Sequence, residues 1–271
     1  MSHHYKTIVI SDLHLGVKAS KAKEVVRFLK THTCDTLILN GDIIDGWQLR
    51  KSGKWKKKHS RFFKLILKMM KDKKMQIIYL RGNHDDFLDE IMPFEIGNFC
   101  IKNEHILLSG SKKYLVIHGD LFDAITTKLK WLSKLGDVGY TFLLWLNRHY
   151  NHYRVRKGLP YYSLSQVVKQ KVKSAVSFIS AFENELAAYA KNRNCQGVIT
   201  GHIHQAADKM LGDIHYLNSG DWVESLTALA ETHDHHWRII TYSESVMSKS
   251  KLKEEIENLL TENPYNHFET A

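Results

Sequence analysis

The stretch "YKTIVISDLHLG", residues 5–16, decides how the rest of the chain is read. Residues 5–10 form an apolar, β-branched run of the kind a buried strand uses. The run then breaks, and Asp12 and His14 follow two residues apart. A carboxylate and an imidazole are both costly to bury, and both are good metal ligands. Taken alone, Asp-x-His is more often a solvated loop with a capping Asp than a metal site. For the pair to be more than a loop, other strands in the chain must end the same way.

They do. "DTLILN" (35–40) runs into "GDIIDGW" (41–47), "MQIIYLR" (75–81) into "GNHDD" (82–86), "KYLVI" (113–117) into "HGD" (118–120), and "QGVIT" (196–200) into "GHIHQ" (201–205). Each is a short apolar strand followed by a glycine-containing turn that carries His, Asp or Asn. In layered α/β folds, sites are built in loops beyond the carboxyl ends of strands. The five loops supply Asp12, His14, Asp42, Asn83, His84, His118, His202 and His204. Two divalent cations held roughly 3.5–4 Å apart need one bridging ligand, which a carboxylate supplies, while imidazoles and an amide oxygen fill other positions. The donor set suits manganese, iron or zinc. Cys34, Cys100 and Cys195 are far apart and offer no zinc spacing or disulfide framework.

Between these strands, helical spacing is expected over 21–32, 60–74 and 163–192, and strand-like runs resume at 214–220, 224–231 and 236–242. The chain has 271 residues, 43% of them hydrophobic, so it has enough apolar surface for a sizeable core. Its longest strongly apolar stretch, "YTFLLWL" (140–146), is too short to span a bilayer, and "MSHHYK" has no apolar leader core. The expected location is the cytoplasm, with peripheral contact at the inner face of the membrane. A formal net charge of +10 favours anionic partners: acidic lipid head groups, phosphorylated metabolites or nucleic acid.

The ordered blocks D-x-H, G-D, G-N-H-D, H-G-D and G-H-x-H resemble the signature of the calcineurin-like metallophosphoesterase superfamily over residues 5–242. The resemblance implies an α/β fold: a four-layer β-sandwich flanked by helices, with a helical cap insertion at about 121–165. Residues 1–243 would form a single domain, and 244–271 a polar tail. It also implies two divalent ions, manganese first, with zinc or iron as alternatives. One would be held by Asp12, His14, Asp42 and His204, the other by Asp42, Asn83, His118 and His202, with hydroxide between them attacking phosphorus. By the same resemblance His84 is catalytic, stabilising phosphoryl charge or protonating the leaving group, and Asp85 orients it.

The opening "SDLHLG", the "NSGDW" block (218–222) and a cap at 121–165 are similar to the UDP-2,3-diacylglucosamine pyrophosphohydrolase branch of lipid A synthesis. That branch usually has Arg after its G-N pair, so "GNHD" marks a sister group. The implied reaction releases UMP. Substrate contacts are expected from Trp47, Arg81, Phe142, Trp145, Arg148, Tyr153, Arg154 and Arg156, where apolar and aromatic residues alternate with cations. Residues 50–74, with twelve Lys and Arg against one acid, present either a docking face or a solvated one. Partners are expected to be a nucleotide-linked lipid and an anionic membrane surface. The alternatives are a phosphodiesterase or nuclease acting on a soluble nucleotide or nucleic acid, and a fold that has lost its chemistry. Asp45 reads equally as a hydrogen-bonding helper or a bystander, Asn218 and Asp221 as ligand-orienting groups or a plain turn. "THDHHW" (232–237) reads as an exposed hairpin turn, and His3 and His4 as without a role.

Overall fold

Side-chain alternation along three parallel strands explains the architecture. The strands are β1 (His3–Ile10), β2 (His32–Asn40) and β3 (Gln76–Leu80). Successive residues point to opposite faces of a sheet. Ile8, Ile10, Leu37, Leu39, Ile77 and Tyr79 enter one core. There they meet Val25, Phe28 and Leu29 of α1 (Ala22–Thr31) and Phe62 and Ile66 of α3 (Lys57–Met69), which follows the short α2 (Gly46–Lys51). The intervening residues Val9, Ile38, Ile78 and Leu80 enter a second core.

The opposite wall of that second core is another sheet. Its central strands are β7 (Lys112–Ile117), β8 (Gly197–Thr200) and β10 (Ile214–Asn218). Tyr114, Val116, Ile199 and Leu217 face the first sheet. Leu115, Ile117, Val198 and Tyr216 face away, onto Phe182, Leu186 and Ala190 of α4 (Leu164–Asn192). The order of layers is helices, sheet, sheet, helix, which is the α/β sandwich the sequence leads one to expect.

Among the described residues the first sheet has seven strands in the order β12-β11-β1-β2-β3-β5-β4, with β4 at Phe94–Ile96, β5 at Phe99–Lys102, β11 at Thr227–Glu231 and β12 at Trp237–Thr241. The second has five, in the order β6-β7-β8-β10-β9, with β6 at Glu104–Ser109 and β9 at Ala207–Leu211. The centres of both sheets are parallel and their edges antiparallel. The sheets are tied together where the parallel strands end: Asn40 Nδ2 donates to the Ile117 carbonyl at 3.1 Å, and His118 Nδ1 donates to the Asn40 carbonyl at 2.8 Å.

The computed structural model describes residues 3–51, 53–72, 74–122, 153–154, 156–158 and 164–243. Most of the expected cap, including Phe142, Trp145 and Arg148, and the 244–271 tail lie outside them. Helix α3 begins at Lys57, earlier than the apolar spacing indicates, and ends at Met69 instead of residue 74. No helix among the described residues is long and apolar enough to cross a membrane.

Candidate metal centre

Backbone conformation is the first unusual property of the loops at the sandwich seam. Asp12, His14, Asp42, His202 and His204 all have positive φ, between 46° and 67°. Left-handed backbone costs a residue with a Cβ roughly 1 kcal/mol or more, and such strain gathers where a side chain must be aimed. Glycine relieves the neighbouring backbone. Gly41 has φ +80°, and a Cβ there would overlap the His118 ring; a Cβ on Gly82 would overlap Asp42.

Each carboxylate of the centre divides its two oxygens between anchoring and aiming. Asp12 Oδ2 accepts from the Ser11 hydroxyl and, at 3.0 Å, from the His202 backbone N–H. Its Oδ1 makes no hydrogen bond and faces His204 Nε2 at 3.2 Å. Asp42 Oδ1 accepts the His84 backbone N–H at 2.8 Å. Its Oδ2 faces His118 Nε2 at 3.4 Å, His14 Nε2 at 3.8 Å and His84 Nε2 at 3.9 Å. Because His118 gives its Nδ1 proton to the Asn40 carbonyl, its Nε2 lone pair is the one turned to the centre.

Two clusters result. One ligand atom from each of Asp12, His14 and His204 lies within 4.8 Å of the others, and the same holds for Asp42, His118 and His202. Asn83, which precedes His84 in the chain, is buried, and neither its Oδ1 nor its Nδ2 has a hydrogen-bond partner. His14 Nε2 and His204 Nε2 stand 3.3 Å apart. Two imidazole nitrogens on one tetrahedral ion, each at about 2.05 Å, would be separated by about 3.3 Å.

Charge tells the same story. Burial by itself raises the Asp12 carboxyl and lowers the imidazoles, but mutual attraction prevails. Asp12 is held at about 2 by His204, and Asp42 lies well below the usual carboxylate range beside His118. His204 rises to about 9 beside Asp12, and His118 to about 10 beside Asp42. The pocket demands positive charge. The orphaned buried Asn83 amide, the aimed lone pairs and the N/O donors fit a pair of divalent cations.

The structure corrects two expected roles. Asp85 does not orient His84. It is fully buried, and it accepts from the Ile43 and Ile44 N–H groups at 3.1 and 2.8 Å and from the Tyr79 hydroxyl at 2.9 Å. Burial and the neighbouring Asp42 push its carboxyl up to about 7. It braces the backbone that follows Asp42. The group beside His84 is Asp45, whose Oδ1 is 3.2 Å from His84 Nδ1 and whose Oδ2 is 3.5 Å from His14 Nδ1. Arg81 is not an open cation for substrate: it donates to Asp89 through Nε and Nη2 at 3.0 and 3.1 Å and to Asp120 through Nη1 at 2.6 Å. It clamps the loop after β3 to the loop after β7.

Trp47 lies at the mouth of the centre. Its ring is 4.3 Å from that of His84, its Nε1 donates to Asp86 at 2.9 Å, and it is 42% exposed. Tyr153 is exposed beside Lys157, Arg156 is exposed and Arg154 is half-buried. In "NSGDW", Asn218 Nδ2 donates to the Gly201 carbonyl at 2.8 Å and so holds the turn that carries His202. Asp221 caps a turn by accepting from Val223 and Glu224.

The family model for calcineurin-like phosphoesterases matches residues 5–206. No curated protein sequence matches the chain. Among solved structures, Yfce, a phosphoesterase from E. coli, is similar at 13% identity and a TM-score of 0.40, over 88% of this chain and 99% of its own. An archaeal phosphodiesterase is similar at 14% identity and 0.39, over 87% and 98%. The zinc complex of Vps29 from Entamoeba histolytica is similar at 13% identity and 0.39, over 88% and 99%.

Proposed function

The chain belongs to the calcineurin-like phosphoesterase family, and from that premise we propose that this hydrolase cleaves the pyrophosphate of UDP-2,3-diacylglucosamine to UMP and a diacylglucosamine 1-phosphate. Water divides between the two products as the bridging P–O bond breaks. The observation that carries the hydrolytic reading is Asp42 Oδ2, set among imidazole nitrogens of both clusters. The substrate rests on "SDLHLG", "NSGDW" and the aromatic–basic insertion at 121–165.

Asp12, His14, Asp42 and His204 would hold one ion, and Asp42, Asn83, His118 and His202 the other. We assign manganese first, on the mixed N/O donors. Such a pair supplies Lewis-acid polarisation of the phosphoryl oxygens and acidifies water. His84 turns Nε2 toward the centre, with Nδ1 against Asp45. It hands a proton to the departing oxygen, and Asp45 keeps the ring in that orientation. Trp47 walls the entrance. The basic surface suits a cytoplasmic enzyme that meets its lipid substrate at an anionic membrane face.

A second reading has its own support. Trp47 and Trp55, both over 40% exposed, sit on the lysine-rich α2–α3 segment, where stacked bases of a soluble nucleic acid would find both surface and charge. A manganese-supplemented assay on UDP-2,3-diacylglucosamine, its deacylated sugar nucleotide, a chromogenic phosphodiester and single-stranded DNA separates the two. Fast UMP release confined to the diacylated substrate is expected. Equal kcat/KM with and without acyl chains would overturn the lipid reading.

A further inference from the structure

The end of the first sheet opposite the phosphoesterase centre gathers three side chains that the activity does not use. His4 is the second residue of β1, Asp35 lies in β2, and His233 sits in the turn between β11 and β12. That turn is closed by the Thr232 N–H donating to the His236 carbonyl and the His235 N–H donating to the Thr232 carbonyl, each at 2.9 Å. From His4 to Ile10 the strand covers roughly 20 Å, at about 3.3 Å per residue. The cluster is therefore separate from the centre that begins at Asp12.

We propose that His4, Asp35 and His233 form a second cation site, for a divalent transition ion. One ligand atom from each lies within 4.8 Å of the other two. His4 Nε2 is 3.0 Å from Asp35 Oδ1, and His233 Nδ1 is 3.9 Å from Asp35 Oδ2, so each carboxylate oxygen faces a different imidazole. The two rings stack with centroids 5.4 Å apart at an interplanar angle of 25°.

The tautomer of His4 adds the chemical argument. Its Nδ1 is 2.9 Å from Thr33 Oγ1, and that hydroxyl donates its proton to the His3 carbonyl at 3.4 Å. Nδ1 is then the donor, and in the neutral ring the Nε2 lone pair faces an anionic oxygen. A cation between them would satisfy both atoms in that tautomer. Protonating both stacked imidazoles sets two cations face to face, whereas one divalent ion satisfies all three groups at once. Two imidazoles and one carboxylate select zinc, nickel, cobalt or copper over magnesium and calcium. The side chains are 51%, 52% and 57% exposed, so water completes the coordination. A bound ion would staple the start of β1 and the β11–β12 turn to β2.

The test counts zinc on the full-length chain after dialysis against micromolar zinc, for the unaltered protein and for His4→Gln, His233→Gln and Asp35→Asn. The unaltered chain should hold one ion more than each variant, and zinc should raise its Tm by more. Hydrolytic rates should agree, because none of the three contacts the phosphoesterase centre. Equal zinc content and equal thermal shifts would reduce the cluster to a hydrogen-bonded surface contact and overturn the site. Loss of hydrolysis together with the ion in His233→Gln would assign that ion to the phosphoesterase centre, also against the proposal. If a single variant fails to fold, the other two decide. In the unaltered chain, zinc should move the His4 Nε2 nitrogen resonance, and an unmoved resonance would likewise exclude binding.

Discussion

At the scale of the residue, Asp42 and Asp45 have the same side chain three positions apart and do different work. Asp42 faces the nitrogens of both clusters, so Asp42→Ala should abolish hydrolysis and bring metal content below two ions per chain. Near-normal turnover with two bound ions would exclude its bridging role. His84 and Asp45 separate differently. His84→Ala is expected to keep both ions and lose about 10²–10⁴-fold in kcat, the usual range for a lost general acid. Asp45→Ala should lose about 10–100-fold in metal affinity or activity, because its second oxygen also faces His14. A His84→Ala protein that loses metal instead of rate would make His84 a ligand. The clusters were legible in the sequence because their residue types recur where apolar runs stop. The roles of Asp85 and Arg81 were not, since a carboxylate or guanidinium can ligate, orient or brace, and only the distant partners, Tyr79 and the Ile43–Ile44 backbone or Asp89 and Asp120, decide which.

At the scale of the element, long alternating runs declared themselves and short edges did not. β4 is three exposed residues, and β9, "ADKML", has no buried residue, so neither carries a periodic apolar signal. The first turn of α3 is lysine-rich and likewise silent, although His59 Nδ1 accepts the Lys56 N–H there. The β1–β11 pairing carries a feature no periodicity reveals. Glu231 is buried between these strands, where it accepts from the Thr7 hydroxyl at 2.6 Å and from Lys6 Nζ at 3.1 Å. Burial by itself would raise its carboxyl, but Thr7, Ser109, His235 and Lys6 together hold it below the ordinary value. A lowered carboxyl contributes stability that is present above its unfolded pKa and is lost as pH falls through the folded one. Glu231→Gln should therefore cost about 1–3 kcal/mol near neutral pH. In urea melts the gap between variant and parent should narrow at acid pH; a gap that does not depend on pH would show that shape, not charge, matters there.

At the scale of the whole molecule, the formal charge of +10 is carried on a surface where Lys54, Lys56, Lys57, Arg61, Lys64 and Lys68 are exposed on or before α3, with Trp55 and Leu67 among them. If this surface meets an anionic membrane, cosedimentation with acidic vesicles should be strong at low ionic strength and fade as salt shortens the screening length. Vesicle binding that ignores salt, or its absence at low salt, would remove charge as the means of contact. The seam between the sheets has a consequence in time as well as in space. Each cluster borrows from both sheets: Asp12 and His14 follow β1 but His204 follows β8, and Asp42 follows β2 but His118 and His202 follow β7 and β8. Neither sheet alone contains a complete ion site. In refolding, ion capture must come after the sheets have docked, so a metal-sensitive signal times the closing step of assembly. A chelator should leave the rate of strand formation untouched and alter only that last phase.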